Sequence, residues 1–132
     1  MKPTRKSLTN KLDKLFREVI YIRDRGVCRK CGSGQNLQCA HIYSRRFRNT
    51  RWCPDNALLL CAKCHFWAHD RPLDFSDFVG KFMDVEALRE KSNILFKTSV
   101  SNLQELYNEL FVLKEDMERE WKRPNWEGQR IP

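Results

Sequence analysis

The 132-residue chain has no run of about 18 apolar residues, so no membrane-spanning helix is expected. Residues 1–6 are basic, but no apolar stretch follows them as a secretory leader requires, and the expected compartment is the cytoplasm. No internal repeat and no low-complexity stretch is found. Acidic residues are scarce in the first part: residues 1–51 hold 14 lysines and arginines against 3 acids, a net +11, whereas residues 52–132 hold 11 against 14, a net −3. The imbalance points to a face that binds a polyanion, with solubility as the plainer explanation. Scarcest of the chemically active residues is histidine, with three in all, and these lie within 29 residues of one another.

Hydrophobic residues make up 41% of the chain, enough for a folded protein. A chain of this size buries roughly two-thirds of its unfolded surface, so a single modest core is expected, with at most an appendage. Six cysteines are present, four of them as Cys28-x-x-Cys31 and Cys61-x-x-Cys64, with 29 residues between the pairs. Without a leader, this grouping argues for a metal rather than disulfides. Cys39 and Cys53 are left over and read as small buried thiols.

The periodicity predicts a helix over residues 8–25, with Leu8, Leu12, Leu15, Phe16, Val19 and Ile20 on one face and Gly26 as its stop. Residues 27–36 read as a knuckle with Gly32 and Gly34 at the turn, residues 37–43 as a strand, and 44–51 as an irregular basic loop. Residues 57–60 read as a second strand, and a helix should follow from Cys61 to His69. Asp74 is expected to cap a helix over 75–83, with a shorter helix near 85–91. The last helix should open near Ser101, with Gln104 in capping-box register. Its Leu103, Leu106, Leu110, Leu113 and Met117 form a seam about two heptads long, suited to packing within the chain. Residues 121–132 read as an arm containing Pro124 and Gly128.

Two CxxC pairs offer four thiolates to one tetrahedral ion. A filled coordination sphere leaves no room for substrate, so the expected role is a structural zinc, with a dithiol redox motif as the competing reading. That frees the histidines. His65 and His69 are four residues apart and share a helix face, a spacing that can hold one divalent ion or simply place two surface histidines together. His41 lies on the strand against which that helix would pack. Asn56, just before the second strand, is placed for its amide to meet His41 and hold the ring.

The order Ala40-His41-Ile42, Asn56, Cys61-x-x-Cys64-His65, His69 resembles the HNH endonuclease family, most of all its phage-encoded zinc-ribbon members, many of which nick DNA. The resemblance covers about residues 28–75. It implies an α+β fold: a small zinc-stabilised domain with a ββα-metal core, flanked by N-terminal and C-terminal helices. The nuclease domain would be residues 1–83 and a helical extension with its tail residues 84–132. By position, His41 matches the general base, Asn56 the central asparagine, His65 the final histidine that binds metal, and His69 an extra ligand like that of the colicin nucleases. The family's residue before the base, usually Asp or His, also binds metal. Here it is Ala40, so water, Asn56 or an acid elsewhere must complete the site.

The resemblance implies a metal-dependent endonuclease that hydrolyses phosphodiester bonds in double-stranded DNA. Its catalytic ion would be Mg²⁺ or Mn²⁺, with Ni²⁺ as a further candidate. A neutral His41 takes a proton from water, and a hard divalent ion held by His65 and His69 neutralises developing charge. Arg45, Arg46, Arg48 and Arg51 follow the base strand and are expected to grip the phosphate backbone. Trp52, Phe66 and Trp67 read as packing groups. One site per chain cuts one strand, which favours a monomeric nickase in a bacterial host's cytoplasm, with phage packaging proteins as candidate partners. The alternatives are a zinc-ribbon module that binds nucleic acid without cleaving it, or a phage assembly subunit that uses the heptad-like helix.

Overall fold

The computed structural model describes residues 2–121. The arm expected beyond Trp121 therefore lies outside the described residues. The fold is small, α+β and mostly helical, with one two-stranded sheet. In chain order the elements are α1 (Arg5–Arg23), β1 (Leu37–His41), α2 (Arg48–Arg51), β2 (Ala57–Cys61), α3 (Ala62–Asp70), α4 (Pro72–Val79), α5 (Val85–Ser92) and α6 (Val100–Trp121). A short 3₁₀ turn over Pro54–Asn56 leads into β2.

α1 starts three residues earlier than its apolar periodicity indicates, because a capping box sets the start. The Ser7 N–H donates to Thr4 Oγ1 at 3.1 Å, and the Thr4 N–H donates to Ser7 Oγ at 3.0 Å. The helix ends at Arg23, and the chain then turns through two left-handed residues, Arg25 at φ 58° and Gly26 at φ 66°. A Cβ at Gly26 would lie 2.8 Å from Tyr21 Oη, so the stop needs glycine for room as well as for conformation.

The apolar stripe of α1 is buried as expected. Leu8, Leu12, Leu15 and Phe16 share a core with Trp52, Leu59, Leu103 and Leu110. Burying each of these large side chains contributes about 1.5–3 kcal/mol. The heptad-like seam of α6 packs on α1, and Lys114 Nζ reaches Glu18 at 2.6 Å across that interface. The cap of α6 is Ser99 rather than Ser101: Ser99 Oγ accepts the Asn102 N–H at 3.2 Å, two residues earlier than the Gln104 pattern indicates. Asp74 caps nothing. It lies in the first turn of α4, which Pro72 opens with φ already suited to a helix. The basic loop is not wholly irregular, since its last residues form α2.

β1 and β2 pair antiparallel with Leu37 opposite Cys61, Ala40 opposite Leu58 and His41 opposite Ala57. β2 is buried along its whole length, and α3 packs back onto both strands. A second core lies between the sheet, α3 and α4, built from Ala40, Leu58, Leu60, Ala68, Phe75 and Val79.

One buried carboxylate joins three segments. Asp24, 1% exposed, accepts from Arg23 at 2.8 and 3.0 Å, from Arg29 at 2.6 Å and from the Leu59 N–H at 2.9 Å. It ties the end of α1 to the knuckle and to the middle of β2. Asp24→Ala should leave two guanidinium groups without their carboxylate and the buried Leu59 N–H without its acceptor, although Arg23 keeps the Pro54 and Ala57 carbonyls. The expected loss is about 3–5 kcal/mol, read from urea denaturation of the metal-loaded protein.

Candidate functional site

The Sγ atoms of Cys28, Cys31, Cys61 and Cys64 lie within 4.8 Å of one another. Cys31 Sγ and Cys61 Sγ are 3.7 Å apart. A tetrahedral zinc with Zn–S of about 2.3 Å has edges of about 3.8 Å, so the cluster is compatible with a structural zinc. Local backbone forms the first half: Gly32, at φ 79°, donates its N–H to the Cys28 carbonyl at 2.8 Å, closing the knuckle. The second half comes from the strand-to-helix junction, where Cys61 ends β2 and Cys64 lies one turn into α3.

Electrostatics points the same way. Burial opposes ionisation of Cys28, but backbone N–H groups of Cys31, Cys61 and Lys30 overcome it and bring its thiol down to about 7. Burial, together with the three neighbouring thiols, pushes Cys64 in the opposite direction. Four thiolates cannot be packed together without a cation to balance them, and a coordinated thiol is deprotonated outright. Cys39 stays outside this set. It is half-buried, and burial raises its thiol to about 12, as suits an inert packing group.

His65 and His69 meet on one face of α3. His65 Nε2 and His69 Nε2 are 3.2 Å apart. Two imidazole nitrogens about 2.1 Å from a shared ion would subtend about 100° at that distance, a normal ligand angle. His65 Nδ1 lies 2.5 Å from Gln38 Oε1, an amide oxygen that can only accept, so Nδ1 carries the proton and Nε2 the lone pair. The Nε2 contact therefore has two chemistries: an N–H···N bond without metal, and a shared cation with it. Among the described residues the four cysteines form the one group of three or more His, Cys, Asp or Glu donors; the histidine pair has no third donor of that kind.

His41 faces the pair across a cleft of about 560 Å³, also lined by Asp13, Arg17, Gln38 and Arg45. Its ring stacks on Phe16 with centroids 5.3 Å apart, and its Nε2 lies 3.1 Å from the Arg51 carbonyl. A carbonyl accepts, so Nε2 carries the proton and Nδ1 is left basic. Burial is the largest influence on His41 and lowers its pKa below the ordinary 6.5, against the opposing pull of the Arg51 carbonyl. The ring is neutral near pH 7.

Asn56 does not hold the His41 ring. Its Oδ1 accepts from the Tyr43 N–H at 2.8 Å and its Nδ2 donates to the Tyr43 carbonyl at 3.1 Å. With the Ile42 N–H on its own carbonyl at 2.8 Å, this fully buried side chain extends the ladder past β1 and sets where the basic loop begins. Both its polar atoms are occupied, so Asn56 is no substitute for the donor missing at Ala40.

The four arginines divide. Arg51 donates to Asp13 at 3.1 and 2.8 Å, and Trp52 Nε1 joins at 2.8 Å. Burial works against the Asp13 carboxylate, but these bonds outweigh it and its pKa falls below the usual 3.8. Arg51 is therefore committed to the fold. Arg45 lines the cleft and touches Asp13 only at 3.9 Å. Arg46 lies over Phe47, and Arg48 faces a different depression. Trp52 is buried and Trp67 half-buried against Phe75 and Phe78, as expected of packing groups, but Phe66 is 70% exposed because it projects from the outer face of α3.

Gln38, Asp13 and Asp24 were not singled out from sequence. Strand alternation carries the only signal for Gln38, which shares the face of Ala40 two residues before it. No family model, curated protein or solved structure matches the chain.

Purified protein should carry about one tightly held zinc by elemental analysis, and Cys64→Ser should lose it together with most of its thermal stability. An equally stable Cys64→Ser protein would contradict a structural role. A second expectation concerns pH. Because the folded pKa of His41 is depressed, the stability it carries is complete above about pH 6.5 and is lost as pH falls through the folded value. His41→Phe, which takes no proton, should lose less stability than the parent between about pH 7 and pH 5 in thermal melts.

Proposed function

We propose that the chain is a metal-dependent DNA endonuclease of the HNH type that nicks duplex DNA. The observation that carries the reading is one cleft lined by a neutral imidazole with its Nδ1 free, His41, and by a histidine pair spaced to share an ion. Support also comes from α3, which follows β2 directly and packs on both antiparallel strands. Among the described residues no helix is long and apolar enough to cross a membrane.

In this reading His65 and His69 would hold Mg²⁺ or Mn²⁺. Such an ion would supply charge neutralisation for the phosphate during cleavage. His41 Nδ1 takes a proton from water as the water oxygen bonds to phosphorus and the P–O3′ bond breaks. The Arg51 carbonyl stabilises the imidazolium through Nε2–H. Arg17 and Arg45 line the cleft and hold the backbone. Gln38 keeps His65 in the tautomer that can bind metal. That the described residues place no third His, Cys, Asp or Glu donor at the pair favours, as the second reading, a module that binds nucleic acid without cutting it.

Supercoiled plasmid incubated with Mg²⁺ or Mn²⁺ should become nicked, with ends that ligase reseals. His41→Ala should abolish nicking at every metal concentration while leaving DNA bound. His65→Ala should raise the Mn²⁺ requirement and regain activity at high Mn²⁺. If excess metal rescues His41→Ala equally well, His41 is a ligand and not the base. Tight plasmid binding with no nicking by the metal-loaded parent would favour the second reading.

A further inference from the structure

A second depression, about 310 Å³, opens at the start of α1 and is lined by Arg5, Lys6, Thr9, Asn10, Arg48 and Thr98. Three cations share it, and among the described residues no acid lines it. Arg23, Arg29, Arg45 and Arg51 each have a carboxylate partner, whereas Arg5, Lys6 and Arg48 take part in none of the ion pairs found among the described residues. The first turn of α1 contains no acid. A helix start carries roughly half a positive charge and favours acids there, so two cations on this turn and a third beside it oppose one another. Such a cluster costs stability until an anion enters.

The third cation is held in place. The Asn49 side-chain amide donates to the Lys91 carbonyl at 3.1 Å and to that of Ile94, and Thr50 Oγ1 donates to the Phe47 carbonyl at 3.1 Å. The Asn49 bonds fasten α2, whose first residue is Arg48, to the end of α5 and the residues just after it, and the Thr50 bond closes the turn that opens α2. Arg45, three residues earlier, lines the histidine cleft, so one anchored loop serves both places.

The geometry points to a second phosphate site, made by Arg5, Lys6 and Arg48 and filled by a backbone phosphate of duplex DNA away from the one in the histidine cleft. This rests on the nucleic-acid reading above. α1 gives the spacing: Asp13 borders the cleft and Arg5 the second site, eight residues or about 12 Å along the helix. That is the axial reach of three to four steps of one DNA strand. Guanidinium forks grip phosphate oxygens in pairs, while Thr9, Asn10 and Thr98 offer neutral donors beside them. The site reads no bases. It holds the duplex in register so that one strand lies over His41.

The test is duplex binding by fluorescence anisotropy across a salt series, in a full-length His41→Ala background that keeps the DNA intact. The triple variant Arg5→Gln, Lys6→Gln, Arg48→Gln should lower the slope of log K against log salt by about 0.9 for each contact, about 2.7 in all. Its melting temperature should stay level or rise, because repulsion is relieved. A control triple, Lys11→Gln, Lys63→Gln, Lys81→Gln, removes equal charge from exposed positions outside the pocket and should lower the slope less. Equal losses from both triples, or an unchanged slope in the first, would overturn the second site while leaving the nuclease reading intact. A lost affinity for polyglutamate with unchanged DNA binding would make the pocket a protein-docking site and also overturn it. If the parent itself bound no duplex, the nucleic-acid reading would fall, and this site with it.

Discussion

The convergence of four thiols on one point is the constraint from which the site geometry follows. Cys61 ends β2 and immediately precedes α3, and Cys64 lies one turn into that helix. Bringing their sulfurs to Cys28 and Cys31 fixes the angle at which α3 leaves the sheet and its rotation about its own axis. His65 is the next residue, so its direction is set as well, and His69 follows one turn on. Four thiolates this close repel one another unless a cation balances them. A metal held by these four sulfurs would therefore fix the histidines as well. Asp24 secures the same region from below by joining α1, the knuckle and β2.

The basic loop is ordered by three separate fastenings. Asn56 sets its start on Tyr43, Asp13 takes up Arg51 and Trp52, and Asn49 ties α2 to the C-terminal helices. Arg51 illustrates how a charged residue serves through its backbone. Its guanidinium is neutralised by Asp13, while its carbonyl 3.1 Å from His41 Nε2 leaves Nδ1 as the basic nitrogen. In the proposed nuclease, the residue that orients the base is thus an arginine acting as a peptide carbonyl. In this loop Arg45, held only at 3.9 Å, and Arg48, in none of the ion pairs found among the described residues, face open depressions, while Arg46 lies over Phe47.

α6 explains why a chain with one small sheet has a core at all. Two strands and a short helix bury too little to stand alone. α1 supplies an apolar stripe with two neighbours, the sheet and α6. Its Phe16 enters that core and also stacks on His41, so the packing that stabilises the protein also dries and depresses the imidazole. The outer face of α6 leaves Phe111 and Val112 exposed.

Spacing along the chain is covalent, and what depends on it was legible in the sequence. The paired cysteines, the i and i+4 histidines, the α1 stripe, both strands and the seam of α6 all follow from local order and periodicity. Helix starts were less legible: Thr4 with Ser7, and Ser99, cap through hydrogen bonds that the apolar pattern does not record. What only the tertiary structure decided is the pairing of polar groups far apart in sequence. Asn56 turned to Tyr43 instead of His41, Gln38 met His65 across 27 residues, and Asp13 took Arg51 across 38. The four-arginine run, uniform in sequence, separated into a structural ion pair, a cleft residue, a stacked side chain and a member of a second pocket. The physical reason is that a charged or amide side chain has many equivalent partners in principle. Which one it finds is set by the register of β1 on β2 and the rotation of α3, both products of the whole fold.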